Sequence, residues 1–323
     1  MARLAFLGTP DPAVPALHAL LRAGHQVALV VSQPDRRRGR GATLEPSPVK
    51  RAALQAGLAV TDRLDDVLAA GVELGVVVAY GRLVPQRVLD VVPMVNVHFS
   101  LLPRWRGAAP VERAILAGDD VTGVCLMRLE AGLDTGPVLA RESTPVGADE
   151  TAPELTARLA DMGARLLVTA LADGVGGLGP GDPQVGDPTY AAKIEPAELR
   201  VDWTRPADEV VRLVRLGRAF TTWRGQRLRV LRAIVPPPVG GEAGPVPVHA
   251  GVAPGTGVAP DGGAAGFGVA AGDGRIVRVL TVQAEGRRPV DAGDWWRGAR
   301  PEPGERLGGD SPDPVGSAGD RAG

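Results

Sequence analysis

Cysteine and lysine are nearly missing from this chain of 323 residues. Cys125 stands alone, and Lys50 and Lys193 are the only lysines. A single cysteine excludes an intrachain disulfide and any zinc site built on cysteine pairs. Cys125 lies in an alternating apolar segment and reads as a buried, inert thiol. With so little lysine, arginine carries the positive charge, and the abundance of Ala, Gly and Pro marks a compositional bias of the source. That bias makes any one arginine cluster less telling. No apolar run reaches the ~20 residues that span a bilayer. The first strand-like run is broken by Gly8-Thr9-Pro10 too soon for a signal peptide. The expectation is a soluble, cytoplasmic protein. The net charge of −1 identifies no partner, because the distribution of charge matters more than its sum.

What is present is an alternation of apolar runs and helical periods. Residues 4–7, 27–31, 76–79, 95–99 and 123–129 are strand candidates. Helical periods cover 14–21, 111–117 and 152–172. Continuous apolar runs suit strands buried on both faces, and this alternation predicts an α/β fold, a Rossmann-like doubly wound and mostly parallel sheet. Residues 1–178 are assigned to this catalytic domain and 179–203 to a linker rich in Gly, Pro and Asp. Residues 204–309, with short alternating strands and Gly/Pro-rich connections, are assigned to a small OB-like β-barrel, and 310–323 to a disordered tail. The loop Gly8-Thr9-Pro10-Asp11 follows a strand, but it lacks G-x-G-x-x-G spacing and a Walker lysine. Its prolines also remove N–H groups that would cradle a phosphate.

Of four histidines, His18, His25 and His249 read as structural or solvated. His98 differs. It ends a strand candidate and shares a strand face with Asn96, two residues before it. Asp134, within Gly132-Leu133-Asp134-Thr135-Gly136, sits at the next strand-to-loop junction. Acyl transfer to an amine builds negative charge on an oxygen and requires the amine to lose a proton. An amide N–H2 donates to such an oxygen, an effect worth roughly 3–4 kcal/mol for one good donor. An imidazole suits proton transfer at neutral pH, and a carboxylate beside it fixes its tautomer and offsets the charge it gains. There is no G-x-S-x-G and no context that would activate Ser100, so direct transfer between two bound substrates is expected rather than an acyl-enzyme.

Asn96-x-His98-x-Ser100-Leu101-Leu102-Pro103 together with Gly132-Leu133-Asp134-Thr135-Gly136 resembles the 10-formyltetrahydrofolate-dependent formyltransferases. Arg104-Trp105-Arg106-Gly107-Ala108-Ala109-Pro110, Gly8-Thr9-Pro10-Asp11, Gln33-Pro34-Asp35-Arg36 and Pro46-Ser47-Pro48-Val49-Lys50 narrow the resemblance to the branch acting on methionyl-tRNA. The similarity runs over residues 3–307. It implies Asn96, His98 and Asp134 as the catalytic trio, with no metal required. Ser100, Leu101, Leu102 and Pro103 would border the folate. Tyr80, Gly81, Leu83 and Val84 would form another wall of its pocket, through main-chain contacts. The donor would be 10-formyltetrahydrofolate, the acceptor the α-amine of initiator methionyl-tRNA, and the products formyl-methionyl-tRNA and tetrahydrofolate, in a chain acting as a monomer without a membrane.

Two basic segments bear on the acceptor. Arg36, Arg37, Arg38 and Arg40 lie among glycines in a loop suited to ordering on a phosphate backbone. Arg40 matches the arginine that matters in the family's acceptor-end loop. Arg212, Arg215, Arg227 and Arg229 belong to a run of arginines without an intervening acid, a plausible backbone-tracking patch. Phe220 and Trp223 read as core. Two departures from the family pattern are visible: residues 213–223 lack an aromatic, proline-rich insert, and Phe99 stands where glycine is also common, which predicts a changed pocket shape. Three other readings compete: a formyltransferase for a sugar amine, a formyl-folate hydrolase, and a non-catalytic RNA-binding protein. The basic loop and the barrel argue against the first two, and the intact trio against the third.

Overall fold

The structure, a computed structural model, describes residues 1–38, 43–237, 252–259 and 265–309, and divides the chain into two compact units, Met1–Lys193 and Ile194–Gly323. In the first unit, strands β1 (Arg3–Gly8), β2 (Gln26–Val31), β3 (Val60–Thr61) and β4 (Leu74–Val78) join β5 (Met94–His98), β6 (Val121–Arg128) and β7 (Val138–Pro145). They form one sheet in the order β7-β6-β5-β4-β1-β2-β3. The pairs from β5 to β3 are parallel, whereas β6 and β7 run antiparallel to their neighbours. Leu4, Phe6, Leu74 and Val76 are fully buried, which explains their unbroken apolar sequences: each such side chain contributes roughly 1.5–3 kcal/mol when withdrawn from water.

Helices α1 (Val14–Arg22), α2 (Pro48–Gln55), α3 (Pro110–Ala117) and α4 (Ala152–Ala170) belong to this unit. α4 begins in a capping box: Thr151 N–H donates to Glu154 Oε2 at 2.8 Å, and the Thr151 hydroxyl accepts from Glu154 N–H. Leu155, Leu159 and Leu167 then recur on its buried face. At Gly163 the helix lies close against the sheet: a Cβ there would lie 2.6 Å from Val97 Cγ1. The chain winds outward through β2 and β3 before returning to β4 on the other side of β1. The crevice between the carboxyl ends of β1 and β4 is therefore the topological switch point, where such sheets bind ligands. A cleft of about 340 Å3, lined by Thr9, Pro10, Gln33, Tyr80 and Gly81 among others, opens there.

The second unit is an antiparallel half-barrel, where the short alternating strands led us to expect a small OB-like β-barrel. Strands β8 (Phe220–Trp223), β9 (Gln226–Ile234), β10 (Gly257–Val258), β11 (Phe267–Ala270) and β12 (Ile276–Ala284) follow the order β8-β9-β12-β11-β10, and β13 (Val290–Asp291) also pairs with β12. Helices α5 (Ala207–Val214) and α6 (Ala292–Ala299) complete it. Phe267 stacks on Trp296 with ring centroids 4.4 Å apart, and Trp203 Nε1 donates to Thr221 Oγ1 at 3.0 Å. Trp223 is buried here, as expected.

The stretch 179–203 carries more structure than the linker expected of it. Tyr190–Ala191 pairs in parallel with Arg106–Gly107 in the first unit. Val201 and Trp203 are buried in the core of the second. The expected disordered tail, 310–323, lies outside the described residues, as does His249.

Candidate active site

Strand β5 presents the site. Its alternation sends Val97 toward Gly163 of α4 and turns Asn96 and His98 to the opposite face. Asn96 sits opposite Val77 of β4 and Met127 of β6, and His98 opposite Cys125. Asn96 is half-buried, and among the described residues its amide takes no hydrogen-bond partner. Phe99, 8% exposed, also comes within reach of Gly163. Its bulk is thus taken up against α4 rather than on the Asn96–His98 face, which corrects the expectation of an altered pocket. Burial pushes the Cys125 thiol up from its ordinary value, consistent with an inert core residue.

The carboxylate arrives by an unexpected route. Because β6 runs antiparallel to β5, its carboxyl end lies at the amino end of β5, where Leu129 N–H donates to Met94 O. Asp134 reaches the histidine only by folding the intervening loop back over the sheet. It does so in the left-handed region, at φ +51, a conformation that costs a non-glycine residue energy and persists where its surroundings enforce it. Gly136 permits this turn, since a Cβ there would collide with the Arg128 carbonyl. Asp134 Oδ2 accepts from Gly107 N–H at 2.8 Å and lies 3.7 Å from His98 Nδ1. Both side chains are largely buried.

The loop after β5 closes the other side of the ring. His98 Nε2 is 2.9 Å from the Trp105 carbonyl oxygen, and Ser100 Oγ donates to the Arg104 carbonyl at 2.6 Å. Asp119 anchors this loop. It receives Arg104 Nε and Nη2 at 2.8 and 2.5 Å and Trp105 Nε1 at 2.7 Å. The hydrogen bond to Asp119 holds the Arg104 guanidinium above its ordinary pKa. Trp105 N–H donates to Thr189 Oγ1 at 2.9 Å, so the segment expected as linker helps to build the site. Asp119 and Thr189 carry no motif, and residue-by-residue reading passes over them.

The residues expected to border a folate fall into two groups. Ser100 and Leu102 are buried, Leu101 is half-buried with its side chain toward Gly123, and the Leu102–Pro103 bond is cis. In the other wall, Leu83 is 77% exposed, whereas Val84 packs on the core. Tyr80 turns its ring into that core, and its carbonyl accepts from Thr9 Oγ1 and Gln33 Nε2 at 3.1 and 3.3 Å. Gly81 adopts φ +78, and the position a Cβ would take there meets no atom within 4 Å.

The arginines divide. Arg36–Arg38 forms a short strand paired with Thr43–Glu45, and Arg36 lines the cleft at the switch point. The side chain of Arg38 and all of Arg40 lie outside the described residues. In the second unit, Arg227 and Arg229 line one cleft of about 440 Å3 together with Arg218 and Glu285. Arg227 lies over the Phe220 ring at 3.8 Å, and Arg229 donates to Gln283 Oε1. Arg212, on α5, and Arg215, just beyond it, do not line that cleft.

Residues 2–171 match the family described as formyl transferase, and residues 193–300 match the formyl transferase C-terminal domain. The methionyl-tRNA formyltransferase of Dinoroseobacter shibae is 52% identical over 243 residues, covering 71% of this chain and 81% of that protein. That of Jannaschia sp. is 44% identical over 321 residues, covering 94% and 99%. Among solved structures, an N-formyltransferase from Helicobacter canadensis in complex with folinic acid and dTDP-3-aminofucose aligns with a TM-score of 0.64 at 16% identity, covering 88% of this chain and all of that one. HypX from Aquifex aeolicus in complex with tetrahydrofolic acid aligns at 0.61 and 18%, covering 92% and 47%. At these identities the structural likeness concerns the fold alone.

Proposed function

The chain belongs to the formyl transferase family, and on that premise we propose that it moves the formyl group of 10-formyltetrahydrofolate to the α-amine of initiator methionyl-tRNA. Relatives at 52% and 44% identity carry the name methionyl-tRNA formyltransferase, and the second is matched over nearly its whole length. The single observation that supports the chemistry is the approach of Asp134 to 3.7 Å from His98, on the strand that also carries Asn96 two residues earlier.

The tautomer of His98 follows from its neighbours. A carbonyl oxygen only accepts, so the bond to Trp105 O requires the hydrogen on Nε2 and leaves Nδ1 bare. Nδ1 takes the proton that the attacking amine loses, a role worth about 10²–10⁴-fold. Asp134, 3.7 Å away, then faces an imidazolium and stabilises it. The Asn96 amide donates to the formyl oxygen as negative charge gathers on it, and this contact strengthens in the transition state. No side chain here is activated as a nucleophile, so transfer is direct. The proton held at His98 is available to the departing nitrogen.

The donor, when bound, supplies an activated formyl carbon. The residues fit such a group: exposed Leu83 and half-buried Leu101 offer apolar surface, and the open space at Gly81 admits a flat ring close to the main chain. Ser100, Leu102 and Pro103 support that wall, with Tyr80 and Val84 anchoring the other in the core. Arg36, Arg37, Arg38 and Arg40, with Arg212, Arg215, Arg227 and Arg229, are assigned to the RNA backbone on the strength of their charge. The reading takes the chain as a cytoplasmic monomer; no described helix is long and apolar enough to cross a membrane.

The deciding experiment offers 10-formyltetrahydrofolate with charged initiator tRNA, charged elongator tRNA or a nucleotide-linked amino sugar. Formyl-methionyl-tRNA formed from the initiator supports the proposal. Formylation of the sugar alone, or release of formate without transfer, overturns it.

A further inference from the structure

Between residues 182 and 187 only Gln184 turns away from solvent; its five companions are exposed. The stretch is pinned on both sides. Asp182 and Val138 exchange backbone hydrogen bonds at 2.8 Å each, and Thr189 O and Ala191 O accept from Arg106 N–H and Ala108 N–H at 2.9 Å each. Gln184 is thereby delivered to the underside of the aspartate loop. Its Nε2 lies 2.8 Å from Asp134 O and 2.8 Å from Gly136 O, so both amide hydrogens are donated to the two carbonyls that flank the turn. Its Oε1 accepts Arg106 Nε and Nη2 at 3.1 and 2.7 Å. The next residue after Arg106 is Gly107, whose N–H holds Asp134 Oδ2 at 2.8 Å.

These contacts close a circuit: Gly107 to the Asp134 carboxylate, the Asp134 carbonyl to Gln184, Gln184 to Arg106, and Arg106 back to Gly107 through the chain. We infer that Gln184 and Arg106 are positioning residues that clamp Asp134 in its left-handed turn, so that its carboxylate stays aimed at His98. A primary amide is the side chain that suits this place. It offers two donors to two carbonyls and one acceptor to a guanidinium fork, and all are used. Glutamate would set a negative oxygen against two carbonyl oxygens. Lysine at 106 would replace a planar fork with a point charge. Without the clamp, Asp134 at φ +51 has reason to relax, and with it the carboxylate swings away from the imidazole. Displacement of about 1 Å at a catalytic group costs up to about 10²-fold in rate.

The inference rests on the formyl-transfer reading, and two measurements keep the two apart. Steady-state kinetics of Gln184→Glu and Arg106→Lys are compared with wild type, alone and combined with Asp134→Asn. The expected result is a loss of kcat of up to about 10²-fold, KM for both substrates nearly unchanged, and little further loss once Asp134 is already neutralised. A loss confined to KM, or one equally large in the Asp134→Asn background, overturns the clamp, since a merely structural role behaves that way. Independently of activity, amide hydrogen exchange at Gly107 is expected to quicken in Gln184→Glu, or in Arg106→Lys should the first variant fail to fold. Unchanged exchange at Gly107 overturns the inference. An inactive wild type combined with faster exchange in the variant would sink the proposed function and leave the clamp standing.

Discussion

The Trp105 carbonyl oxygen lies 2.9 Å from His98 Nε2 and thereby decides where the imidazole keeps its hydrogen. A backbone carbonyl accepts and never donates. In the neutral ring the nitrogen that faces Asp134 is consequently the one with a free lone pair, so this carbonyl, and not the carboxylate as expected from the sequence, fixes the tautomer.

This gives a spectroscopic expectation. In the free protein near pH 8, two-dimensional 15N–1H correlation of the imidazole should show His98 as the Nε2–H tautomer. A resonance pattern with the hydrogen on Nδ1 would move the base to the wrong side of the ring and contradict the mechanism.

Asn96 is assigned to the oxygen of the transferring group, a contact that matters most in the transition state. Asn96→Ala should lower kcat by about 10²–10³-fold while leaving tRNA affinity close to wild type. An unaltered turnover would remove Asn96 from the chemistry.

Gly163 matters through closeness rather than conformation. A Cβ there would sit 2.6 Å from Val97 Cγ1, on a stiff β-branched side chain that is buried. Alanine gains up to about 1 kcal/mol in helix propensity, but overpacking costs roughly 1–3 kcal/mol, so the net effect of Gly163→Ala is destabilising. Since Val97 lies between Asn96 and His98, turnover should fall as well. Urea denaturation showing the variant as stable as wild type would mean that the sheet yields freely here.

Glu305 tests the second unit. The hydrogen bonds from Arg224, at 2.6 and 2.9 Å, hold its carboxyl below the usual glutamate range. A depressed folded pKa stabilises above the unfolded value of about 4.3, and this contribution is lost as pH falls through the folded value. Arg224 is half-exposed, so solvent screening keeps the contribution small. Glu305→Gln should therefore lower Tm slightly at pH 7 and show a shallower decline between pH 5 and the acid limit. Parallel Tm curves for the two proteins would exclude a role for the pair.

Binding of charged tRNA should weaken steeply with salt, because phosphate contacts release counterions. Arg227→Ala and Arg229→Ala should each lower the slope of log K against log salt by roughly 1. A flat salt response rejects the arginine surface as the RNA contact.

The sequence by itself determined the class of the fold and the strand face that Asn96 and His98 share on β5. Asn96 and His98 two apart on a strand must share a face whatever surrounds them, because the strand period is 2. Likewise, buried parallel strands such as 74–78 need continuous apolar runs and so announce themselves. Edge strand β7 was silent, since half of its residues are exposed and its stretch Arg141–Thr144 is polar. Tertiary structure alone decided how Asp134 meets His98. Its strand runs opposite to β5, so the carboxylate comes by a folded-back loop rather than from an adjacent strand end. It also decided that Gln184, fifty residues later in the chain, lies under that loop. Strand direction and long-range contact are properties of the packed chain: local residue patterns set which face a side chain takes, while only closure of the whole unit sets what it faces.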